Sequence, residues 1–206
     1  MLWFFLALTT AFCTAVGDTI SKRFFSDLTP YEMAIIRFAY AFPYLAIGLI
    51  TLPWPELDTT FWVCLAVGLP LELCALLSYM NAIKSSPLSL TVPFLAFTPA
   101  FVMITGYIIL GERLHVWGIM GIFLIIIGAY LLNLSRIKVE WLAPFKAIIK
   151  EPGSRYMLLT SFIYSLTAIN GKLAILHSSP QFFAVSYFFF FSFSICLVSH
   201  DSRDNL

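Results

Sequence analysis

Apolar runs long enough to cross a bilayer alternate with short polar breaks along this chain. A spanning helix needs about 20 mostly apolar residues, since each adds about 1.5 Å against a hydrocarbon core about 30 Å thick. Residues 2–20, 31–52, 61–82, 88–110 and 116–134 form five such runs, and 156–176 and 182–199 form two more after a long basic connection. The breaks at 26–30, 53–60, 84–87 and 111–115 carry turn and polar residues. Runs of this kind are helical, because in lipid each backbone N–H and C=O must be satisfied without water. The pattern predicts an all-α membrane protein with about seven transmembrane helices.

The chain also repeats itself without a gap. Lys22, Pro30, Ala34 and Phe38 return as Lys172, Pro180, Ala184 and Phe188, and Leu8, Thr10 and Phe12 return as Leu158, Thr160 and Phe162. The lysine and proline matches carry most weight, since neither residue is ordinary filler in a membrane segment. An odd number of crossings between the copies turns the second upside down. Inverted repeats are the architecture of secondary transporters, which bind near the midplane and open alternately to either side.

Composition agrees with this class. Hydrophobic residues make up 60% of the chain and charged residues 11%, against roughly 25% charged in soluble domains. A charged surface able to hold this chain in water cannot be built. The net charge of +1 says little about partners, and no basic patch interleaved with aromatics points to nucleic acid. Cys13, Cys64, Cys74 and Cys196 fall in apolar runs without C-x-x-C spacing, so they read as packing residues rather than metal ligands. The start of the chain lacks the basic region of a signal peptide, so the first run reads as a retained helix.

In the connection at 136–155, Arg136, Lys138, Lys146, Lys150 and Arg155 are interspersed with Ile137, Val139, Trp141, Leu142, Phe145, Ile148 and Ile149. This mixture suits either an amphipathic helix against anionic membrane lipid or a solvated linker. Lys22, Arg23, Lys84, the five linker residues and Arg203 fall on one side of the membrane, with Arg113 and at most Lys172 on the other. That bias places the linker in the cytoplasm and Met1 outside.

Pro99 is followed after eleven residues by Gly111-Glu112-Arg113-Leu114, then by Gly118, Gly121 and Gly128. With Gly17 and Lys22, Thr29-Pro30, Arg37-Phe38 and Tyr79-x-x-Ala82, this order resembles the EamA family of the drug/metabolite transporter superfamily. The resemblance implies a carrier of two inverted five-helix repeats that exports metabolites, amino acids or drug-like solutes, or exchanges nucleotide sugars. Residues 1–135 then form a complete first repeat, 136–155 a linker, and 156–206 the first two helices of a second. Three more helices are expected after Ser199, where the chain instead turns polar over 200–206. The chain thus reads as a shortened carrier, completed by a homodimer mate or a separate partner. The rival reading is a non-transporting accessory subunit or degenerate fragment. The family usually keeps its N-terminus in the cytoplasm, against the charge bias, so both orientations stand. A bacterial cytoplasmic membrane is the expected location.

Among the polar groups inside apolar runs, Glu72 is the sharpest candidate. A charge at a helix centre costs about 2.5–3.5 kcal/mol on insertion scales and usually faces an interior cavity. It suits a proton-coupling carboxylate or an ion pair with Arg37. Arg37 itself suits an anionic solute or that same pair. Asp18 and Lys22 share one helix face; Lys22 reads as a substrate contact or as a lysine snorkelling to the boundary. Tyr79, Asn170 and Lys172 complete the expected substrate pathway, with Asp18, Arg37, Glu72, Tyr79 and Asn170 expected along one groove. Pro93 and Pro99 are expected to break the fourth run, Gly111-Glu112-Arg113 to end it, and Gly121 and Gly128 to mark close helix packing. No HExxH, GxSxG or P-loop pattern is present. Gly17-Asp18 is half of an intramembrane aspartyl protease pair with no second membrane aspartate. The chain reads as no enzyme, with no catalytic residues, metal or cofactor.

Overall fold

The computed structural model describes residues 2–113, 115–134 and 151–203, and every regular element among them is helical. α1 (Leu2–Phe24) leads to α2 (Pro30–Ala39), α3 (Phe42–Thr51) and α4 (Thr59–Ser85). One turn, α5 (Leu88–Thr91), passes through a 3₁₀ stretch at Val92–Phe97 into α6 (Thr98–Leu110). α7 (Val116–Leu134), α8 (Pro152–Leu176) and α9 (Pro180–Arg203) follow. Phe4–Phe24, Thr59–Ser85, Leu88–Leu110 and Pro152–Leu176 are each long and apolar enough to span a membrane. Pro30–Phe38 and Phe42–Thr51 make a fifth span bent by 43°, and Val116–Ala129 and Pro180–Ile195 are shorter apolar helices. The protein is an all-α membrane protein of roughly seven helices.

Local chemistry sets these boundaries. Thr29 and Glu32 form a reciprocal capping box, with Thr29 Oγ1 accepting from the Glu32 amide at 3.2 Å and Glu32 Oε2 accepting from the Thr29 amide at 2.7 Å. Pro43 lies in the first turn of α3, where a missing N–H costs nothing, and it accounts for the break after α2. Pro93 and Pro99 produce the expected interruption of the fourth run as the 3₁₀ stretch. Gly111 ends α6 at φ +67, its amide bonding to Tyr107 O at 3.0 Å while the Glu112 amide reaches Gly106 O at 3.4 Å. This left-handed cap favours glycine. The linker expected at 136–155 lies outside the described residues as far as Lys150, and its last residues, from Pro152, belong to the first turn of α8. The polar tail expected at 200–206 is helical through Arg203, and the rest lies outside the described residues.

Contacts at the helix ends sort into two faces. On one, Lys22 at the end of α1 meets Ile83–Ser86 at the end of α4, Ser86 Oγ donates to Glu151 Oε2 at 3.0 Å beside the start of α8, and Lys84 Nζ donates to Leu28 O at 2.7 Å before α2. The Tyr31 hydroxyl, at the start of α2, donates to Ile195 O in the last part of α9 at 2.7 Å. On the other, Asp58 before α4 meets His177 after α8, Glu112 after α6 meets Lys172, and Trp54 after α3 packs on Phe182 at the start of α9. This is the alternation that seven crossings require. α1 and α8 run in opposite directions, and their starts at Leu2 and Pro152, like those of α2 and α9 at Pro30 and Pro180, keep the interval of the sequence repeat.

α4 and α8 form the principal helix pair, and α6 also packs on α8. The third and fourth crossings therefore meet through the sixth more than directly. The buried core divides into two clusters along α4. Leu76, Tyr79, Met80, Ala82 and Ile83 pack with Met33, Ala34, Phe94, Met157, Phe191 and Ile195. Toward the other face, Phe61, Cys64 and Leu65 pack with Ala174, Phe182 and Tyr187. Glu72 lies between the two.

A methyl group added at Gly121 or Gly128 would meet no neighbouring atom within 4 Å among the described residues, so the close helix packing expected there is not found among them. It occurs at Gly153, where a Cβ would lie 2.6 Å from Ser86 Cβ and 2.8 Å from Thr91 Cγ2. Neither atom sits at the free end of a flexible side chain. Gly153→Val is expected to destabilise the bundle by about 2 kcal/mol through overpacking. Detergent unfolding of this variant beside Gly121→Val, which should change little, checks the assignment.

Candidate functional site

Between α4, α8 and α9 lies an open cavity of about 550 Å³, along which Ala168, Lys172, Leu176 and Phe188 are exposed. Glu72 sits at the middle of the 27-residue α4 and Tyr164 at the middle of the 25-residue α8, so both lie near the bilayer midplane. Thr167, Lys172, Phe183 and Tyr187 line the same space. Its volume falls in the range of small-molecule sites, about 300–1,000 Å³.

The sequence around Glu72 builds this opening. Pro70 lacks an N–H and so cannot serve the carbonyl of Ala66 within α4. Nearby, Asn170 Nδ2 donates to Cys64 O at 2.7 Å and the Tyr187 hydroxyl donates to Gly68 O at 2.9 Å, docking α8 and α9 onto the backbone of α4. Gly68 permits that approach, since a Cβ there would stand 2.6 Å from Asn170 Nδ2 and 3.0 Å from Tyr187 Cε2. The hydroxyls of Thr167 and Tyr187 flank the Glu72 carboxyl. Each already donates to a main-chain oxygen, Thr167 to Tyr164 O at 3.2 Å and Tyr187 to Gly68 O. A hydroxyl rotor can also turn toward the carboxyl, as donor or as acceptor.

A second polar cluster lies closer to the face where α1 ends. Asp18, 5% exposed, accepts from Arg37 Nη1 at 2.9 Å on one oxygen and from the Tyr79 hydroxyl at 2.5 Å on the other. The guanidinium carbon stands 5.7 Å from the centre of the Tyr79 ring. Tyr164 lies within electrostatic reach of Asp18, Arg37 and Glu72, between this cluster and the cavity.

The expected pathway residues thus divide. Glu72 and Lys172 line the cavity. Arg37 pairs with Asp18, not with Glu72. Tyr79 is buried in that pair's company rather than facing an open groove. Lys22 Nζ donates to Ile83 O at 2.5 Å, Lys84 O at 3.0 Å and Ser86 O at 3.3 Å, so it caps the carbonyl end of α4. Asn170 is occupied on Cys64 O. Lys172 carries an ion pair to Glu112 at 2.5 and 2.6 Å. The residues expected along one open groove are divided between an open cavity at Glu72 and a separate ion-pair cluster.

The profile of the EamA-like transporter family matches residues 1–134, the first five crossings with Glu72 and the Asp18–Arg37–Tyr79 cluster. The chain belongs to the EamA-like transporter family. It is also 24% identical over 171 residues to a protein of Archaeoglobus fulgidus described as an uncharacterized transporter, covering 82% of this chain and 58% of the relative. The chain thus spans little more than half the length of that relative. No solved structure matches the chain significantly.

Three lining residues of this EamA-like protein do not stand out in its sequence: Tyr164, Thr167 and Tyr187. The two tyrosines carry a signal nonetheless, since a tyrosine in the interior of an apolar run needs a partner for its hydroxyl. At the opposite end of α4 from Lys22, Asp58 Oδ1 caps the Phe61 amide at 3.0 Å while its Oδ2 lies 2.6 Å from His177 Nδ1. The Phe61 amide, and after it His177, hold the Asp58 carboxyl below the usual carboxylate range. A carboxyl with a lowered folded-state pKa stabilises at pH above its ordinary value, and that contribution is lost as pH falls through the folded value. Acidification below about pH 4 is therefore expected to lower the protection of the Phe61 amide against hydrogen exchange relative to its intrinsic rate, and Asp58→Ala, which removes the capping oxygen, should show that loss already at neutral pH.

Proposed function

We propose that this membrane protein moves a small metabolite, amino acid or drug-like solute across the bilayer through the cavity at Glu72. The observation that carries the reading is a midplane carboxylate in a cavity of metabolite size, bounded along α4 by two packed clusters. Opening one cluster at a time would expose the cavity to one face at a time, as alternating access requires. Family membership and the archaeal relative support the transporter class. The proposed location is the cytoplasmic membrane of a bacterium. A second copy of the chain, or a separate partner, is proposed to complete the wall of the pathway, in line with the share of the relative that the chain spans.

Liposomes reconstituted with the 206-residue chain and offered amino acids, nucleotide sugars and organic amines in turn test this reading. Saturable uptake of at least one class above protein-free liposomes is expected. Uptake of none of them, by a folded chain in its native oligomeric state, would favour an accessory membrane subunit instead.

A further inference from the structure

Two packed clusters bound the cavity along α4, and the polar groups over them differ between the two faces. At the face where α8 ends, Asp58 and His177 join the two principal helices. Asp58 Oδ1 accepts from the Phe61 amide at 3.0 Å, and Asp58 Oδ2 lies 2.6 Å from His177 Nδ1. Phe61 is on the α4 side of the cluster at that face, and Ala174, three residues before His177, is on its α8 side. Leu176 lines both the cavity and the polar cleft of about 390 Å³ that holds Asp58 and His177. The pair therefore stands where the cavity meets that face. At the opposite face Lys22 and Lys84 donate to main-chain carbonyls and Ser86 to Glu151, and among the described residues no histidine takes part.

Histidine changes charge between about pH 5 and 8, an interval across which exposed carboxylates and lysines ordinarily keep theirs. The charged groups around His177 are Asp58 and Glu56 from the segment before α4. Lys172, further back on α8, is held by Glu112 after α6, and residues 180–186 at the start of α9 carry no charge. We propose that Asp58 and His177 form a pH-sensitive latch on the cavity at this face. Under mildly acidic conditions an imidazolium donates to a carboxylate, and such a charge-assisted bond is roughly twice as strong as a neutral one. As pH rises the imidazole becomes neutral, the tie between α4 and α8 weakens, and the Phe61 cluster opens more often. Both side chains are partly exposed, 38% for His177 and 50% for Asp58, so solvent limits the change to a several-fold shift in population. The inference rests on the alternating-access reading for its role in transport, while pH-dependent opening stands on the pair and its place over the cluster.

The test uses the full chain in lipid nanodiscs, with its native cysteines replaced by alanine and nitroxides at Thr59→Cys and Leu176→Cys. Pulsed electron resonance reads the fraction of molecules with the two labels apart. That fraction is expected to rise about fivefold from pH 5.5 to pH 8, equivalent to about 1 kcal/mol. A single nitroxide at Ala168→Cys should become more accessible to a water-soluble nickel chelate over the same interval. His177→Lys, charged throughout, should hold the closed distance at both pH values. His177→Asn, neutral throughout, should show the open fraction at both. Unfolding midpoints identify a variant that fails to fold, and the other then decides. A pH-independent fraction with His177 in place, or a pH response that survives in either folded variant, overturns the inference. Opening that follows His177 without flux of any solute would leave this inference standing and remove the transport reading. Flux with pH-independent opening would do the reverse.

Discussion

Asp18→Ala is expected to destabilise the folded bundle by about 3 kcal/mol, chiefly because it strands the guanidinium of Arg37 inside the protein. The Tyr79 hydroxyl bond alone contributes little, since hydrogen bonds inside membrane proteins average about 0.6 kcal/mol in double-mutant cycles. An uncompensated arginine within a span is the larger effect, on the order of 2.5–3.5 kcal/mol on insertion scales. Arg37 keeps 29% of its side-chain surface exposed, which holds the expectation near the low end for a broken buried pair. α1 should feel the loss most. Its residues from Phe4 to Val16 are exposed, and its anchorage lies in its last two turns, at Asp18, Ser21 and Lys22. Its threonines Thr9, Thr10, Thr14 and Thr19 bond back to carbonyls of their own helix rather than to neighbours. Reversible unfolding in mixed micelles measures the effect. The double variant Asp18→Ala with Arg37→Met should recover much of the loss, and a cost below about 1 kcal/mol for Asp18→Ala alone would contradict a structural role for the pair.

Ala168→Trp is expected to abolish flux while leaving stability nearly unchanged. Ala168 is exposed on the wall of the cavity, so a larger side chain there does not enter a packed core, and such surface changes usually stay within about 0.5 kcal/mol. The indole would instead occupy the space that a solute needs. The informative outcome is the separation of the two readouts: an unchanged unfolding midpoint with uptake at the level of protein-free liposomes. Uptake at the wild-type rate would place the pathway elsewhere in the molecule.

The helices and the repeat are legible in the sequence because the bilayer imposes a length and the prolines mark the breaks. Pro30 and Pro180 do start helices, Pro93 and Pro99 do break one, and Gly111 does cap one. Glu72 is legible for a related reason, since a carboxylate midway along an apolar run needs an interior environment. Partnerships are not legible. In a water-soluble bundle the contrast between polar and apolar faces fixes how each helix is rotated. A membrane helix is apolar toward both lipid and neighbours, so that contrast fades and the rotation cannot be read. The sequence offers Arg37 an anionic solute or Glu72, and it meets Asp18 instead. Lys22 and Lys172 occupy matching repeat positions, yet one caps α4 and the other pairs with Glu112. Gly121 and Gly128 share a face by spacing alone, and neither has a close neighbour among the described residues.

The central claim is that the cavity at Glu72 is the solute site of a transporter. Initial uptake rates by liposomes carrying the wild-type chain or Glu72→Gln, at matched protein content and matched unfolding midpoints, test it most directly. Saturable uptake is predicted for the wild type and a rate at least about tenfold lower for Glu72→Gln, as the loss of a charge-assisted contact implies. Equal rates for the two proteins would contradict it.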